Sequence, residues 1–344
     1  MEVILKQEWK DINPHEWDDL LLKSPTQTVF QLFGWHQSWW EHFSIGKQLF
    51  LIQVFEDKKL IGLAPLYRIT KGPWRILKFI GSGHSDYCDF LYPLDNPAVL
   101  SAILKWLALH QQWWDVLVFD YIPERSMSMA LMNEAFKDSG LGLRKYSEIQ
   151  CPAVLFDRAI AGELIDKQSL RRHAKHFQVL EGYKVLHLNA WEDIEPWLEQ
   201  FFGQHIERWH HSSHKSLFIK SENVAFYRSF IKCLCAKGNV VFSVIQSQGQ
   251  PIAFHIGLLF GKDFIWYKPS FDISLSRYSP GEVLLRELFI YACSQGISKF
   301  DFSIGDEPFK RRFANAYEKN VSFKVFKSRG LGLLDALLMI RHRI

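Results

Sequence analysis

An arrangement of strand-like segments that occurs twice is the strongest constraint on what this chain can fold into. Residues 49–56 (LFLIQVFE) and 60–69 (LIGLAPLYRI) are apolar and rich in β-forming residues, and the charged turn Asp57-Lys58-Lys59 between them predicts a hairpin. Residues 74–80 predict a third strand. The same order returns in the second half at residues 240–246, 251–260 and 264–269. The repeated order predicts two copies of one unit.

A polar loop, a helix and another short strand follow the third strand in both halves. The helical stretches are residues 98–111 and 281–295, and the short strands are residues 115–119 and 299–303. Helices at residues 35–43 and 194–209 precede the hairpins. Both halves therefore predict α/β units with mixed sheets and a crossover helix. We place the join near residue 160, which gives domains 1–160 and 161–344, and one large mixed sheet without duplication is the alternative.

Composition excludes several classes of protein. The 344 residues are 48% hydrophobic and 23% charged, which suits two packed domains, and a formal charge of +4 does not indicate a DNA-binding protein. Five scattered cysteines without a CxxC pair favour a reducing compartment. Charged residues interrupt the N-terminal segment, and no run approaches about 18 apolar residues, so we expect a cytoplasmic protein.

Four segments together resemble a known family. Residues 27–43 (QTVFQLFGWHQSWWEHF), 81–91 (GSGHSDYCDFL), 277–285 (RYSPGEVLL) and 301–313 (DFSIGDEPFKRRF) are similar, in family order, to those of the CelD-type acetyltransferases of the GNAT superfamily. Their tandem architecture is similar to that of the FemABX peptidyltransferases. The resemblance covers nearly the whole chain. It implies two GNAT-like acyltransferase domains packed side by side, the first degenerate and on the acceptor side, the second binding acyl-CoA.

The resemblance also implies a reaction. Acetyl-CoA or another acyl-CoA would be the co-substrate, no metal would be needed, and the acceptor would be an amine or hydroxyl of a small-molecule, sugar or cell-envelope precursor. Transfer of an aminoacyl group from a charged tRNA, as the FemABX likeness implies, is the alternative enzyme. A binding module without catalysis that recognises a glycan or lipid carrier is the alternative from another class.

The segment SRYSPGE at residues 276–282 is the predicted cofactor loop. A diphosphate needs converging backbone N–H donors, which a loop leading into a helix N-terminus supplies. The predicted cofactor-binding residues here and on the preceding aromatic strand are Arg277, Tyr278, Ser279, Gly281, Trp266 and Tyr267. The segment has one glycine where the GNAT pattern has more, and Pro280 lacks an N–H donor. An ordinary helix start with a serine cap is the competing interpretation.

Two further loops carry candidate chemistry. In GDEPFKRR, Asp306 or Glu307 is a candidate general base, and the cations Lys310, Arg311 and Arg312 are candidates for binding the acceptor. In GSGHSDYCD, the candidate catalytic pair is His84 and Asp86, and the candidate acceptor-binding residues are Ser85 and Tyr87. The structural alternatives are a helix cap with a solvated basic face for the first loop and polar turn residues for the second.

Three weaker features complete the sequence picture. His210 and His214 have the i, i+4 spacing of helix metal ligands, but no acidic or cysteine partner accompanies them. The basic residues Arg171, Arg172, Lys175 and His176 predict a solvated helix face, with phosphate binding as the alternative. Residues 331–344 predict a helix packed on the second domain, with peripheral membrane contact as the alternative.

Overall fold

The computed structural model describes residues 1–10, 12–137, 140–210, 212, 214–328 and 330. The chain divides into two compact units: unit 1 is Met1–Gln150 with the segment that starts at Glu318, and unit 2 is Cys151–Tyr317. The chain therefore passes between the units twice, whereas the sequence pattern predicts a single join near residue 160. The predicted C-terminal helix at residues 331–344 lies outside the described residues.

The helices and strands are numbered along the chain. They are β1 (Glu2–Lys6), α1 (Pro14–Leu21), α2 (Phe33–Phe43), β2 (Gln48–Glu56), β3 (Lys59–Lys71), β4 (Trp74–Phe79), α3 (Ala98–Leu109), β5 (Val116–Pro123), α4 (Ser128–Lys137), β6 (Gly142–Leu155), α5 (Arg158–Ile165), α6 (Gln168–Gln178), β7 (Lys184–Leu188), α7 (Trp191–Trp209), α8 (Ser221–Cys235), β8 (Val240–Ser247), β9 (Gln250–Phe260), β10 (Asp263–Phe271), α9 (Pro280–Ser294), β11 (Lys299–Asp301), α10 (Pro308–Arg311) and β12 (Ala316–Phe326).

Unit 1 is built on a mixed sheet with the strand order β1-β2-β3-β4-β5-β12. β4 and β5 are parallel, as their connection through α3 requires, and the other neighbours are antiparallel. α3 packs its buried face on this sheet. The core combines aliphatic side chains with aromatic ones, including the fully buried Phe50, Trp114 and Phe119.

Unit 2 repeats the same pairing pattern. Its strand order is β7-β8-β9-β10-β11, followed by the last residues of β6, and only β10 and β11 are parallel. α9 connects these two strands and packs Val283, Leu284 and Leu288 into the core. The duplicated hairpin, crossover helix and short strand predicted from the sequence are therefore confirmed.

The sixth strand of each sheet explains why the chain passes between the units twice. In unit 1 it is β12, whose residues from Asn320 to Phe326 pair with β5. In unit 2 it is the end of β6, where Ala153, Val154 and Leu155 pair with β11. A strand near the C-terminus thus pairs with β5, which would otherwise present an unpaired edge in unit 1. No helix among the described residues is both long and apolar enough to cross a membrane.

Candidate functional site

The parallel strands of unit 2 separate after a short ladder. β10 and β11 pair only at Asp263 with Lys299, Phe264 with Phe300, and Ile265 with Asp301. After Asp301 the chain turns to its other neighbour, where the Phe302 N–H donates to the Pro152 carbonyl at 2.9 Å. From Trp266 onward, β10 therefore extends past the end of β11. Openings at the carboxyl ends of parallel strands are common ligand sites in α/β sheets.

A β-bulge lies at the point where the strands separate. Trp266 is opposite Gly257 of β9, but Lys268 is opposite Ile256, so Tyr267 is the extra residue. The ring of Trp266 packs 4.5 Å from His255, whereas the Tyr267 hydroxyl accepts a hydrogen bond from Tyr227 of α8 at 3.0 Å. Lys268 carries its ammonium 4.5 Å from the centre of the Tyr267 ring. The corresponding pairing of β3 with β4 in unit 1 is regular.

α9 begins at a strained serine. Ser279 has φ 55° and ψ 53°, in the left-handed region, and Pro280 occupies the first helical position, where its missing N–H is tolerated. The Ser279 carbonyl accepts from the N–H groups of Glu282 and Val283. Within the described residues, the N–H of Gly281 has no acceptor. This N–H group and the positive end of the helix dipole could therefore bind an anion.

Gly281 also has a packing role. A Cβ at this position would lie 3.2 Å from the ring of Phe271, which is tighter than most real contacts. The absence of a side chain therefore lets the start of α9 approach the end of β10. Both the predicted functional role and the ordinary structural role are compatible with this glycine.

Arg277 and Tyr278 form a stack with α6. The Tyr278 ring lies parallel to the imidazole of His176, with centroids 3.9 Å apart and an interplanar angle of 15°. The guanidinium of Arg277 lies 4.5 Å from the centre of the same ring. The Tyr278 ring therefore contacts both the His176 imidazole and the Arg277 guanidinium. Two of the predicted cofactor-binding residues, Arg277 and Tyr278, thus belong to a stack with α6, a helix that precedes the second hairpin in the chain.

Asp306 is paired with Arg311 in the loop after β11. The arginine donates two hydrogen bonds, one to each oxygen of the carboxylate. The guanidinium holds the pKa of Asp306 below its ordinary value, mainly through hydrogen bonding. A carboxylate stabilised in its ionised form is a weak proton acceptor.

Lys310 is buried although it belongs to the run KRR. Its ammonium donates to the carbonyl of Ile304 at 2.7 Å and pairs with Glu307 at 2.8 Å, while its side chain is only 5% exposed. Gly305 in this loop has a positive φ of 110°, which favours glycine. A Cβ at this position would also lie 2.6 Å from the Glu307 carboxylate. Lys310, which the sequence predicts to bind an acceptor, thus makes its contacts within its own loop and stabilises the loop's conformation.

Arg312 links three elements of unit 2. Its guanidinium donates to Glu282 in the first turn of α9 at 2.6 Å and to Ser169 of α6 at 3.4 Å. The other oxygen of Glu282 lies 3.5 Å from Nε2 of His173. Arg312 therefore compensates the negative charge that Glu282 brings to the start of α9, and His173 lies beside the same carboxylate.

The predicted residues of unit 1 lie in the loop after β4, packed against α2. The indole N–H of Trp39 donates to Nδ1 of His84 at 3.1 Å, and that of Trp35 donates to the Ser85 hydroxyl at 2.8 Å. An indole nitrogen can only donate, so Nδ1 of His84 cannot take up a proton while this bond is formed. The backbone carbonyl of Asp86 accepts from the Asn320 side chain, and the Tyr87 ring is buried.

The neighbouring Asp89, which sequence reasoning missed, is the buried carboxylate of this loop. It accepts from the Thr26 hydroxyl at 2.8 Å, the Ser128 hydroxyl at 2.6 Å and the Phe90 N–H at 2.9 Å. Burial raises its pKa, and these hydrogen bonds oppose the rise. No short motif signals such a carboxylate, because its partners lie 63 and 39 residues away.

A second missed residue is Arg208 at the end of α7. Its guanidinium donates to the carbonyl of Pro269 at 3.0 Å and lies 4.1 Å from the Phe271 ring centre. Burial lowers its pKa to about 10. Arg208 thus packs against the end of β10. The sequence indicates only that this arginine lies near the end of a predicted helix.

The structure brings two groups of predicted residues together. In unit 2, the bulge lies in β10 just past its last pairing with β11, and the start of α9 and the loop after β11 follow the carboxyl ends of these strands. The four predicted residues of the unit 1 loop follow the carboxyl end of β4. Among the described residues, no cluster of three or more histidine, cysteine or acidic side chains has metal-site geometry.

Comparisons with known proteins agree with this architecture. Residues 166–311 match the family model of the acetyltransferase (GNAT) domain. Among curated proteins, none matches this sequence. Of solved structures, the crystal structure of FemX has a TM-score of 0.67 at 12% identity and covers 97% of this chain and 99% of its own.

Two other solved structures are similar over most of the chain. L-PGS from Bacillus licheniformis has a TM-score of 0.56 at 14% identity, with 97% of each chain covered. A protein of unknown function from Bacteroides thetaiotaomicron has a TM-score of 0.56 at 12% identity and covers 93% of this chain and 99% of its own. The chain therefore has a mixed α/β, GNAT-like fold, and identities this low concern the fold alone.

Proposed function

We propose that this protein is an acyltransferase that uses unit 2 to bind an acyl-CoA. It would transfer the acyl group, acetyl in the simplest case, to an amine or hydroxyl of a small-molecule, sugar or cell-envelope precursor. The observation that carries the proposal is the opening between β10 and β11, with the bulge at Tyr267 beside it and α9 directly after it. All three lie within the residues that match the acetyltransferase domain. A CelD-type subfamily and a cytoplasmic location are part of the same proposal.

The residues present fit the donor substrate. The extended arm of coenzyme A carries amides that can pair with the edge of a strand. Because β10 pairs with β11 only as far as Ile265, β10 has such an edge from Trp266 onward. The N–H of Gly281 and the positive end of α9 suit the diphosphate, a term worth about 0.3–2 kcal/mol. The hydroxyl of Ser279, which caps no backbone N–H, and the charge of Arg277 would add hydrogen bonds.

The chemistry proposed is direct transfer. The acceptor nitrogen or oxygen attacks the thioester carbonyl carbon, the carbon–sulfur bond breaks, and the thiolate takes up a proton as the acceptor loses one. Holding both substrates in place lowers the barrier by about 7–11 kcal/mol. We assign a backbone N–H between Trp266 and Lys268 to the oxygen that becomes negative, because the bulge tilts this part of the strand.

The acceptor's proton needs a base. Arg311 donates two hydrogen bonds to Asp306 and lowers its pKa, which makes Asp306 a weak base. We therefore assign the role of general base to Glu307, which is half-exposed and has one carboxylate oxygen paired with Lys310. We assign Arg312, which also pairs with Glu282, to an anionic group of the acceptor. His84 and Asp86 of unit 1 stay predicted catalytic residues, and Ser85 and Tyr87 stay predicted acceptor-binding residues. Nδ1 of His84 accepts from Trp39 and is therefore not available as a base.

Release of free thiol from acetyl-CoA in the presence of an acceptor panel tests the proposal. Glu307→Gln should lower kcat about 10²–10⁴-fold, the usual contribution of a general base. Glu199→Gln is the matched control, because Glu199 is also an exposed glutamate of unit 2 with a basic partner, Arg228. The proposal is refuted if acetyl-CoA, CoA and longer acyl-CoAs produce neither binding heat nor a shift in melting temperature.

Aminoacyl transfer from a charged tRNA is the second candidate, because the fold is similar to those of FemX and L-PGS. It predicts RNA binding that weakens steeply with salt. The formal charge of +4 favours the smaller thioester donor. RNA binding without any binding of acyl-CoA would replace the first proposal with the second.

A further inference from the structure

One face of α6 is committed to the start of α9. Leu170, Ala174 and Phe177 form its buried stripe. On one side of that stripe, Ser169, His173 and His176 contact Arg312, Glu282 and Tyr278 respectively. These three positions are spaced i, i+4 and i+7, so they lie on one helical flank.

Arg172 lies at the exposed edge of the same flank. It precedes His176 by one helical turn and follows Ser169 by three residues, so its side chain emerges beside both. Arg171 and Lys175 are also exposed, but a rotation of about 100° per residue places them on the opposite side of the buried stripe. Arg172 is therefore a helical neighbour of residues that contact the start of α9, and Arg171 lies on the other side of the buried stripe.

The charge of Arg172 and Arg277 is not balanced by carboxylates. Within the described residues, neither guanidinium has an ion-pair partner. The nearest acidic group at the start of α9, Glu282, is already engaged by Arg312 and His173. Arg172 lies one helical turn before His176, and the His176–Tyr278–Arg277 stack continues from there to Arg277. We call the surface formed by these residues the α6 basic flank.

We propose that the α6 basic flank binds a phosphate monoester at the nucleotide end of the donor, namely the ribose 3′-phosphate of coenzyme A. The inference rests on the proposed function. If the diphosphate lies at Gly281 and Ser279, the nucleotide continues outward past Tyr278, where Arg172 and Arg277 present their guanidinium groups. A phosphate dianion is the partner that two such groups suit best, since each can donate two parallel hydrogen bonds.

Isothermal titration with CoA and 3′-dephospho-CoA tests this assignment, because the two ligands differ only in that phosphate. For the wild-type protein, CoA should bind about three- to tenfold more tightly, as expected for partly exposed charge-assisted contacts. Arg172→Gln should lower the ratio of the two dissociation constants, because only Arg277 of the two arginines remains. Arg172→Lys should retain part of the preference, and Arg171→Gln, the same change on the opposite side of the helix, should leave the ratio unchanged.

The outcomes separate the inference from the function on which it rests. If both ligands bind and the wild-type ratio is near one, or if Arg171→Gln lowers the ratio as much as Arg172→Gln, the subsite is refuted while the acyl-CoA proposal stands. If neither ligand binds, the proposed function fails and the subsite fails with it. Circular dichroism of each variant ensures that only folded proteins are compared.

Discussion

Replacing Lys310 by methionine tests whether this lysine fastens the loop or binds a substrate. Methionine keeps the length and apolar stem but removes every donor. The variant loses the bond to Ile304 O at 2.7 Å, the weak contact to Gly305 O at 3.5 Å and the pair with Glu307. The two roles predict different effects on stability.

The expected loss of stability follows from these contacts. A hydrogen bond from a charged donor contributes about 1.5–3 kcal/mol, whereas the pair with Glu307, whose side chain is 54% exposed, contributes at most about 1 kcal/mol. Removing a buried ammonium relieves its desolvation, which offsets part of the loss. The variant should therefore unfold with a free energy about 1–3 kcal/mol lower than the wild type.

Urea denaturation and hydrogen exchange measure this effect. The unfolding midpoint should fall without a change in the m-value, and the amides of residues 304–313 should exchange faster. Arg311→Met is the control, since that side chain is 60% exposed and its loss should leave the unfolding midpoint nearly unchanged. An unfolding free energy within about 0.5 kcal/mol of wild type, together with a raised KM for the acceptor, would refute the structural role.

Three further predictions concern other titratable groups. Asp306→Asn should lower kcat less than about tenfold, because Arg311 already depresses the pKa of this carboxyl; a pH–rate profile that loses its acid limb would show Asp306 to be the base. Burial lowers the pKa of His255 to about 3 from an ordinary 6.5, so only the unfolded chain binds its proton between those values. The stability of the wild type should therefore fall relative to His255→Leu as pH drops through that window, and parallel curves in urea titrations would contradict this. Asp89→Ala should cost about 2–4 kcal/mol, because it leaves buried hydroxyls of unit 1 without their acceptor, and an unchanged melting temperature would disprove it.

Local patterns in the sequence were sufficient to predict the repeated unit. Alternating apolar runs and short polar turns marked the hairpins, and Pro280 marked the start of α9 within one residue of the predicted Gly281. The two sixth strands were harder. β12 pairs with β5, about 200 residues earlier, and no local signal specifies a partner at that distance. β1 is a short edge strand, and the charged residues at its ends, Glu2 and Lys6, are the reason the sequence pattern does not predict it.

The candidate site was predictable in position more than in detail. The loops after the parallel strands were identified from their glycine and charged residues, and the structure places them at the carboxyl ends of those strands. The bulge at Tyr267 depends on how Trp266 and Tyr267 pack on opposite faces of the sheet, which the residue types alone do not reveal. Likewise, the run KRR is typical of a solvated surface, and only the folded loop shows that its lysine is buried.

Titration of the wild-type protein with acetyl-CoA tests the central claim most directly, because every proposed role of unit 2 depends on a thioester donor. We expect saturable binding with a stoichiometry of one per chain, weakened by Arg277→Gln. The absence of binding heat with acetyl-CoA, CoA and longer acyl-CoAs, for a protein shown to be folded, would contradict the account.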